Sequence, residues 1–129
     1  MLYQVIKYIY PNITFGDFRL EDAGSGPVIA AWTYSQPQPT EAELSAAELP
    51  AAKAARIAAN RAECTSRIYA RYPAGRQLSA SFGLYDSANV AAMVDWIAAN
   101  VAAENIAADA IEAATTVQAV EAVTVAWPV

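Results

Sequence analysis

The sequence predicts an α+β protein, with a short helix and a β-hairpin at the N-terminal end followed by an alanine-rich antiparallel helical hairpin. Three observations carry this. Apolar residues near the start recur with the 3.6-residue period of a helix. Two runs of strand-forming residues then flank a glycine-rich turn. Beyond residue 50, long stretches are dominated by alanine, the strongest helix former.

Residues 2–10 read either way: Tyr3, Val5, Ile6 and Tyr8 are strand-forming, but Leu2, Val5, Ile6 and Ile9 stand at i, i+3, i+4 and i+7, and this better periodic match favours a short helix that Pro11 ends. In "DFRLED", Phe18 and Leu20 alternate with Asp17, Arg19 and Glu21, the period of a half-buried strand. "DAGSGP" can reverse the chain, and "VIAAWTY", with Val28, Ile29, Trp32 and Tyr34, supplies the second strand. A lone hairpin is marginal in water, so its apolar face must rest on the first helix, on later helices or on another chain. The "GSG" of Gly24 to Gly26 lacks the Lys-Ser/Thr ending of a phosphate loop and precedes a strand, so it reads as a turn.

"SQPQPT" reads as a stiff extended linker, since Pro37 and Pro39 fix their own φ and hold their predecessors extended. Thr40 and Glu43 form a capping box that opens a helix, which Pro50 either interrupts or follows as the first turn of the next. A helix is predicted over 51–72, with Ile57, Cys64 and Ile68 along one stripe, and Pro73 and Gly75 stop it. A connector carries Leu78, Phe82 and Leu84. Asp86 or Ser87 then caps a long helix over 88–114, with Val90, Met93, Val94, Ile97 and Val101 on its apolar side. The "AAxAA" runs suit either a seam to another copy, making a homo-oligomer, or an internal hairpin. Pro73 and Gly75 favour the hairpin, because they break the run where it must reverse. Alanine faces would let its two backbones approach closely. In the last stretch β-branched residues replace alanine, and Val123, Val125 and Trp127 alternate like a strand. The organisation read from the chain is thus 1–36 helix plus hairpin, 37–50 proline-rich hinge and helix start, 51–114 helical hairpin and 115–129 apolar tail.

Composition bounds the chemistry. A chain of 129 residues can bury a core without disulfides or metals. The net charge of −5, with eight Lys and Arg in no continuous run, lacks the basic footprint of nucleic-acid binding. There is no histidine, which removes Ser-His-Asp and Cys-His triads and histidine zinc sites. The single cysteine, Cys64, forms no intrachain disulfide and reads as a small buried hydrophobe. Asp86, Asp95, Glu104, Asp109 and Glu112 read as scattered solvated charge and not as a converging acid–base pair. No apolar run reaches the length of a membrane span, and the first eleven residues make a poor signal peptide. "NIT" at Asn12 fits a glycosylation acceptor, but nothing else points to secretion. Neither an enzyme nor a cofactor is expected. What remains is protein binding. Trp32 and Tyr34 on the hairpin, and Val123, Val125 and Trp127 on an exposed apolar tail, are the candidate contact residues, because strand edges and apolar tails accept partner strands. Trp32 and Trp96 also suit core packing.

The first third of the chain carries a resemblance. Leu2-Tyr3, Tyr10 to Asn12, Asp17-Phe18, Gly24 and Gly26, Trp32 and Pro39 to Leu44 follow one another in an order and spacing similar to the XkdW-like family of phage and prophage tail proteins. The remainder is similar in style to small proteins from phage tail-fibre regions. The resemblance implies a tail-fibre assembly chaperone or fibre-associated protein, with a permanent baseplate or fibre-adaptor component as the alternative. Its partner would be the phage tail fibre or a neighbouring tail protein, met in the host cytoplasm during assembly. On that reading the hairpin is a recognition head and the helices its arm. The resemblance brings no catalytic residue with it.

Overall fold

The computed structural model describes residues 1–129. The elements run α1 (Leu2–Ile9), β1 (Phe18–Asp22), β2 (Pro27–Trp32), α2 (Glu41–Arg71), α3 (Ala74–Ser81), α4 (Ser87–Ala113) and α5 (Val117–Ala122). The fold is α+β, with one two-stranded antiparallel sheet. The chain divides between Ala55 and Arg56 into two compact units, so α2 contributes its first turns to unit 1 and the rest to unit 2.

Unit 1 is built from α1, the hairpin and the start of α2. Val5 and Ile6, adjacent on α1, are both buried and serve two clusters. Val5 packs with Ala47 and Ala51 of α2, joined by Ile9 and Leu44. Ile6 packs with Ile13 and Phe18, joined by Tyr3, Tyr10, Leu20, Ile29, Trp32 and Tyr34. The hairpin therefore rests on α1. Its turn is held by Asp22, whose Oδ1 accepts from the amides of Gly24 (2.8 Å) and Gly26 (3.1 Å). Both glycines have φ near +100°, a conformation that a Cβ would strain. Register shifts between Arg19, opposite Ala31, and Leu20, opposite Ile29, leaving Ala30 as an extra residue. This bulge resets the alternation, so Ile29 and Trp32 both join the Phe18 cluster although they stand three residues apart.

The capping box forms as read. The Thr40 amide donates to Glu43 Oε2 (2.7 Å), and the Glu43 amide donates to Thr40 Oγ1 (3.2 Å). Two expectations for this region are corrected. The segment holding Pro37 and Pro39 lies inside unit 1, with Pro39 buried and Pro37 O accepting from Tyr10 Oη at 2.7 Å; it is not a spacer between a head and an arm. Pro50 neither interrupts a helix nor starts one, because α2 runs through it for 31 residues. An interior proline removes a backbone hydrogen bond and costs about 3 kcal/mol. Packing of Leu44, Ala47 and Ala51 against α1, and a hydrogen bond from Gln4 Nε2 to Ala51 O (3.2 Å), hold the helix on both sides of the break.

Unit 2 comprises the rest of α2 with α3, α4, α5 and residues 123–129. α2 and α4 run antiparallel: Arg61 faces Glu104, and eleven residues further on Tyr72 faces Trp96. Asp86 caps α4, accepting from the Asn89 amide at 2.8 Å. The connector, read from the sequence only as a link carrying Leu78, Phe82 and Leu84, contains a helix of its own, α3. The two long backbones rarely come within 8 Å of one another, contrary to the close alanine contact expected. Side chains bridge them instead: Tyr72 packs with Met93 and Trp96, and Val129 O accepts from both Arg71 and Trp96. The apolar side expected for α4 is also revised. Val94 and Val101 are exposed, while Met93, Asn100, Glu104, Ala107 and Ile111 are buried.

Candidate protein-binding surfaces

Trp32 and Tyr34 are half-buried members of an aromatic cluster. Trp32 lies 5.9 Å from Tyr10, 6.1 Å from Phe18 and 6.1 Å from Tyr34 between ring centres, and its Nε1 donates to Gln36 O at 2.8 Å. These rings fix the hairpin on α1. What unit 1 leaves open lies beside them. A two-stranded sheet has an unpaired edge on each strand. Next to β2 runs a groove of about 450 Å³, with Leu2, Pro27, Val28, Ile29, Pro39 and Leu44 along it and Glu41 and Glu48 among its polar members. Val28 is 58% exposed there.

Val123, Val125 and Trp127 fall in the other unit. They are half-buried while Thr124 and Ala126 are exposed, so the alternation read from the sequence is real. The segment is extended but pairs with no strand, and it is not a free tail. Three arginines of α2 hold its main chain. Arg56 Nη2 donates to Val123 O (2.9 Å), Arg67 Nη2 to Pro128 O (3.2 Å) and Arg71 Nη1 to Val129 O (3.4 Å). Trp96 Nε1 of α4 also donates to Val129 O (3.2 Å), so the segment reaches both helices. The Arg67 guanidinium sits 5.2 Å over the Trp127 ring, and that of Arg71 lies 4.6 Å over Trp96.

Beneath this layer lie polar side chains that were not expected inside. Asn60, Asn100 and Glu104 are 9%, 0% and 7% exposed. Glu104, expected to be solvated, pairs with Arg61 at 3.6 Å. Asn100 Nδ2 donates to Trp96 O (2.9 Å), but its Oδ1 has no hydrogen bond; nor have Asn60 Nδ2, Glu104 Oε1 and the Nε atoms of Arg56 and Arg67. Asn100 and Glu104 stand at heptad spacing with Met93, Ile97, Ala107 and Ile111, but spacing alone does not separate a buried polar residue from a solvated one. Cys64 is buried, and desolvation, followed by the nearby Glu104 charge, pushes its thiol up against the opposing pull of Arg67. That keeps it protonated at neutral pH, the wrong direction for a nucleophile. What both units offer chemically is apolar surface and hydrogen-bonding groups.

No helix is long and apolar enough to cross a membrane. The molecule falls in the class of small α+β proteins with one packed aromatic–aliphatic unit and one helical unit that grips an extended segment. Residues 2–56 match the family described as XkdW protein, and this span coincides with unit 1. Over 45 residues the chain is 44% identical to the Phage-like element PBSX protein XkdW of Bacillus subtilis (strain 168). That stretch is 34% of this chain and 41% of the relative, so the similarity covers less than half of either protein. No solved structure matches.

Proposed function

We propose that the protein is a phage-associated binding protein, a tail-fibre assembly chaperone or fibre-associated protein that works by covering apolar surface and not by catalysis. The observation that supports this most is the agreement between the matched span and unit 1: the similarity follows a folded unit that presents an open strand edge beside an apolar groove. An extended segment of the fibre or a neighbouring tail protein would lie along β2, with the exposed Val28 as its first contact. The encounter would take place in the host cytoplasm, before assembly. Co-expression with the adjacent fibre gene tests the proposal: soluble trimeric fibre should rise with the protein present, and an unchanged yield would reject the chaperone.

The alternative is a permanent baseplate or fibre-adaptor component. Unit 1 favours it in one respect, because Ile6 and Ile13 are fully buried and its core closes without a partner, as a lasting structural piece requires. Mass spectrometry of purified particles separates the two readings. A fixed copy number in the mature particle supports the component, and absence supports the chaperone.

A further inference from the structure

Residues 56–71 of α2 hold four arginines against one glutamate, a local net charge of +3 in a chain whose total is −5. The segment lying on them, "VTVAWPV", has no charged residue. Arg56 and Arg67 each give one Nη to a main-chain carbonyl, while the buried Nε of each has no hydrogen bond. Arg67 has Glu63 near its other Nη, at 3.6 Å. A guanidinium is built for two parallel hydrogen bonds to a carboxylate, and a lone carbonyl leaves half of that fork unused. The spacing also fits an extended chain. The eleven helical steps from Arg56 to Arg67 rise about 16 Å. The five steps from Val123 to Pro128 span about 16 Å when extended.

We propose that this face of unit 2 is a binding site for an extended apolar segment of a partner protein carrying two acidic residues five positions apart, and that residues 123–129 occupy it as a weaker, displaceable ligand. The two carboxylates would stand at the positions of Val123 and Pro128, both half-buried here, and take the Nε–Nη forks of Arg56 and Arg67, while apolar side chains would replace Val125 and Trp127. The in-place segment fits the description of a displaceable ligand. Its side chains are half-buried, it makes no strand ladder, and the bond at Val129 is long and exposed. This deepens the polypeptide-binding reading and depends on it for the partner's identity alone.

The test uses the full chain carrying Trp127→Ala, which removes the ring beneath Arg67 and loosens the resident segment; circular dichroism establishes that it remains helical. Two fluorescein-labelled peptides are titrated by anisotropy. One copies residues 123–129, and the other carries Val123→Glu and Pro128→Glu. The acidic peptide should bind at least ten-fold more tightly than the neutral copy, and weaken steeply with salt. It should bind the Trp127→Ala chain several-fold more tightly than the unaltered chain, because its competitor is impaired. Adding Arg56→Gln and Arg67→Gln should cut its affinity at least ten-fold while changing the neutral copy little. Equal affinity of the two peptides, indifference to the arginines, or no binding to a folded Trp127→Ala chain would each overturn the proposal. Sedimentation covers the remaining occupant: a dimer that Trp127→Ala abolishes, with no preference for the acidic peptide, would assign the face to a second copy's segment and reject the acidic partner. Fibre yield in co-expression is read independently, so a null peptide result beside a positive fibre effect rejects this site and leaves the chaperone standing.

Discussion

Unit 1 closes its interior with branched aliphatics and rings, and its inward polar groups have partners: Gln4 reaches Ala51 O, and Lys7 Nζ reaches the carbonyls of Pro11 (2.8 Å) and Ile13 (2.7 Å). Unit 2 is longer, yet its interior mixes Met93, Ala107 and Ile111 with Asn60, Asn100 and Glu104, and it leaves buried nitrogens and oxygens unpaired. Alanine accounts for the contrast. It favours the helical backbone but buries little area, so the space between two alanine-rich helices is filled by whatever longer side chains the faces carry. In unit 2 many of those are arginine, asparagine and glutamate. The same property that makes the unit an imperfect core makes it a holder of main chain, because guanidinium and amide groups bond carbonyls that an apolar face cannot.

The contrast can be broken at several points, the largest first. Ile6→Ala removes a fully buried side chain from unit 1, and should cost about 3 kcal/mol through lost transfer energy and the cavity left behind. Urea unfolding followed by aromatic fluorescence measures it, and a loss under about 1 kcal/mol would mean that unit 1 does not depend on this cluster. Trp127→Ala should cost about 2 kcal/mol locally, from half-buried ring area and the Arg67 contact. Hydrogen exchange should quicken over 117–129 and stay unchanged over 1–55.

Asn100→Leu sharpens the comparison from the other side. It replaces an amide holding one unmet buried oxygen by an apolar group of similar size, and should be neutral or stabilising by about 1 kcal/mol. A clear destabilisation in thermal unfolding would show that the polar seam of unit 2 is better satisfied than its geometry indicates. The smallest effect concerns Cys64. Its thiol is raised above the ordinary value of 9.0, mainly by burial. As pH climbs past that value the unfolded chain loses its thiol proton before the folded one does, so this group's stabilising contribution is complete below pH 9 and fades through the raised folded value. Unfolding free energy should therefore fall more steeply from pH 8 to 10 in the unaltered chain than in Cys64→Ala, and iodoacetamide should label the native thiol far more slowly than the urea-unfolded one.

Much of unit 1 was legible because its signals are local. The α1 periodicity, the Asp22–Gly24–Gly26 turn and the Thr40–Glu43 box each act over a few residues. The Ala30 bulge was not, since strict alternation places Val28 and Trp32 on one face and nothing in the run marks the extra residue. For the candidate surfaces, alternation at Val123, Val125 and Trp127 was read correctly, while the exposure assigned to that segment was not. Whether an apolar segment faces solvent depends on what folds over it, and here that is decided by arginines some sixty residues earlier in the chain.

By itself the sequence determined the α+β class, the hairpin, the N-terminal caps of α2 and α4 and the apolar rhythm of the final residues, all products of backbone preference and side-chain period over one or two turns. Tertiary structure alone decided that α2 passes unbroken through Pro50, that Asn100 and Glu104 face inward, and that residues 123–129 lie against Arg56, Arg67 and Arg71. Each of these is a balance between a local cost and contacts made far along the chain: a lost helical hydrogen bond, a desolvated amide or carboxylate, a segment drawn out of water. No window of neighbouring residues contains both sides of that balance.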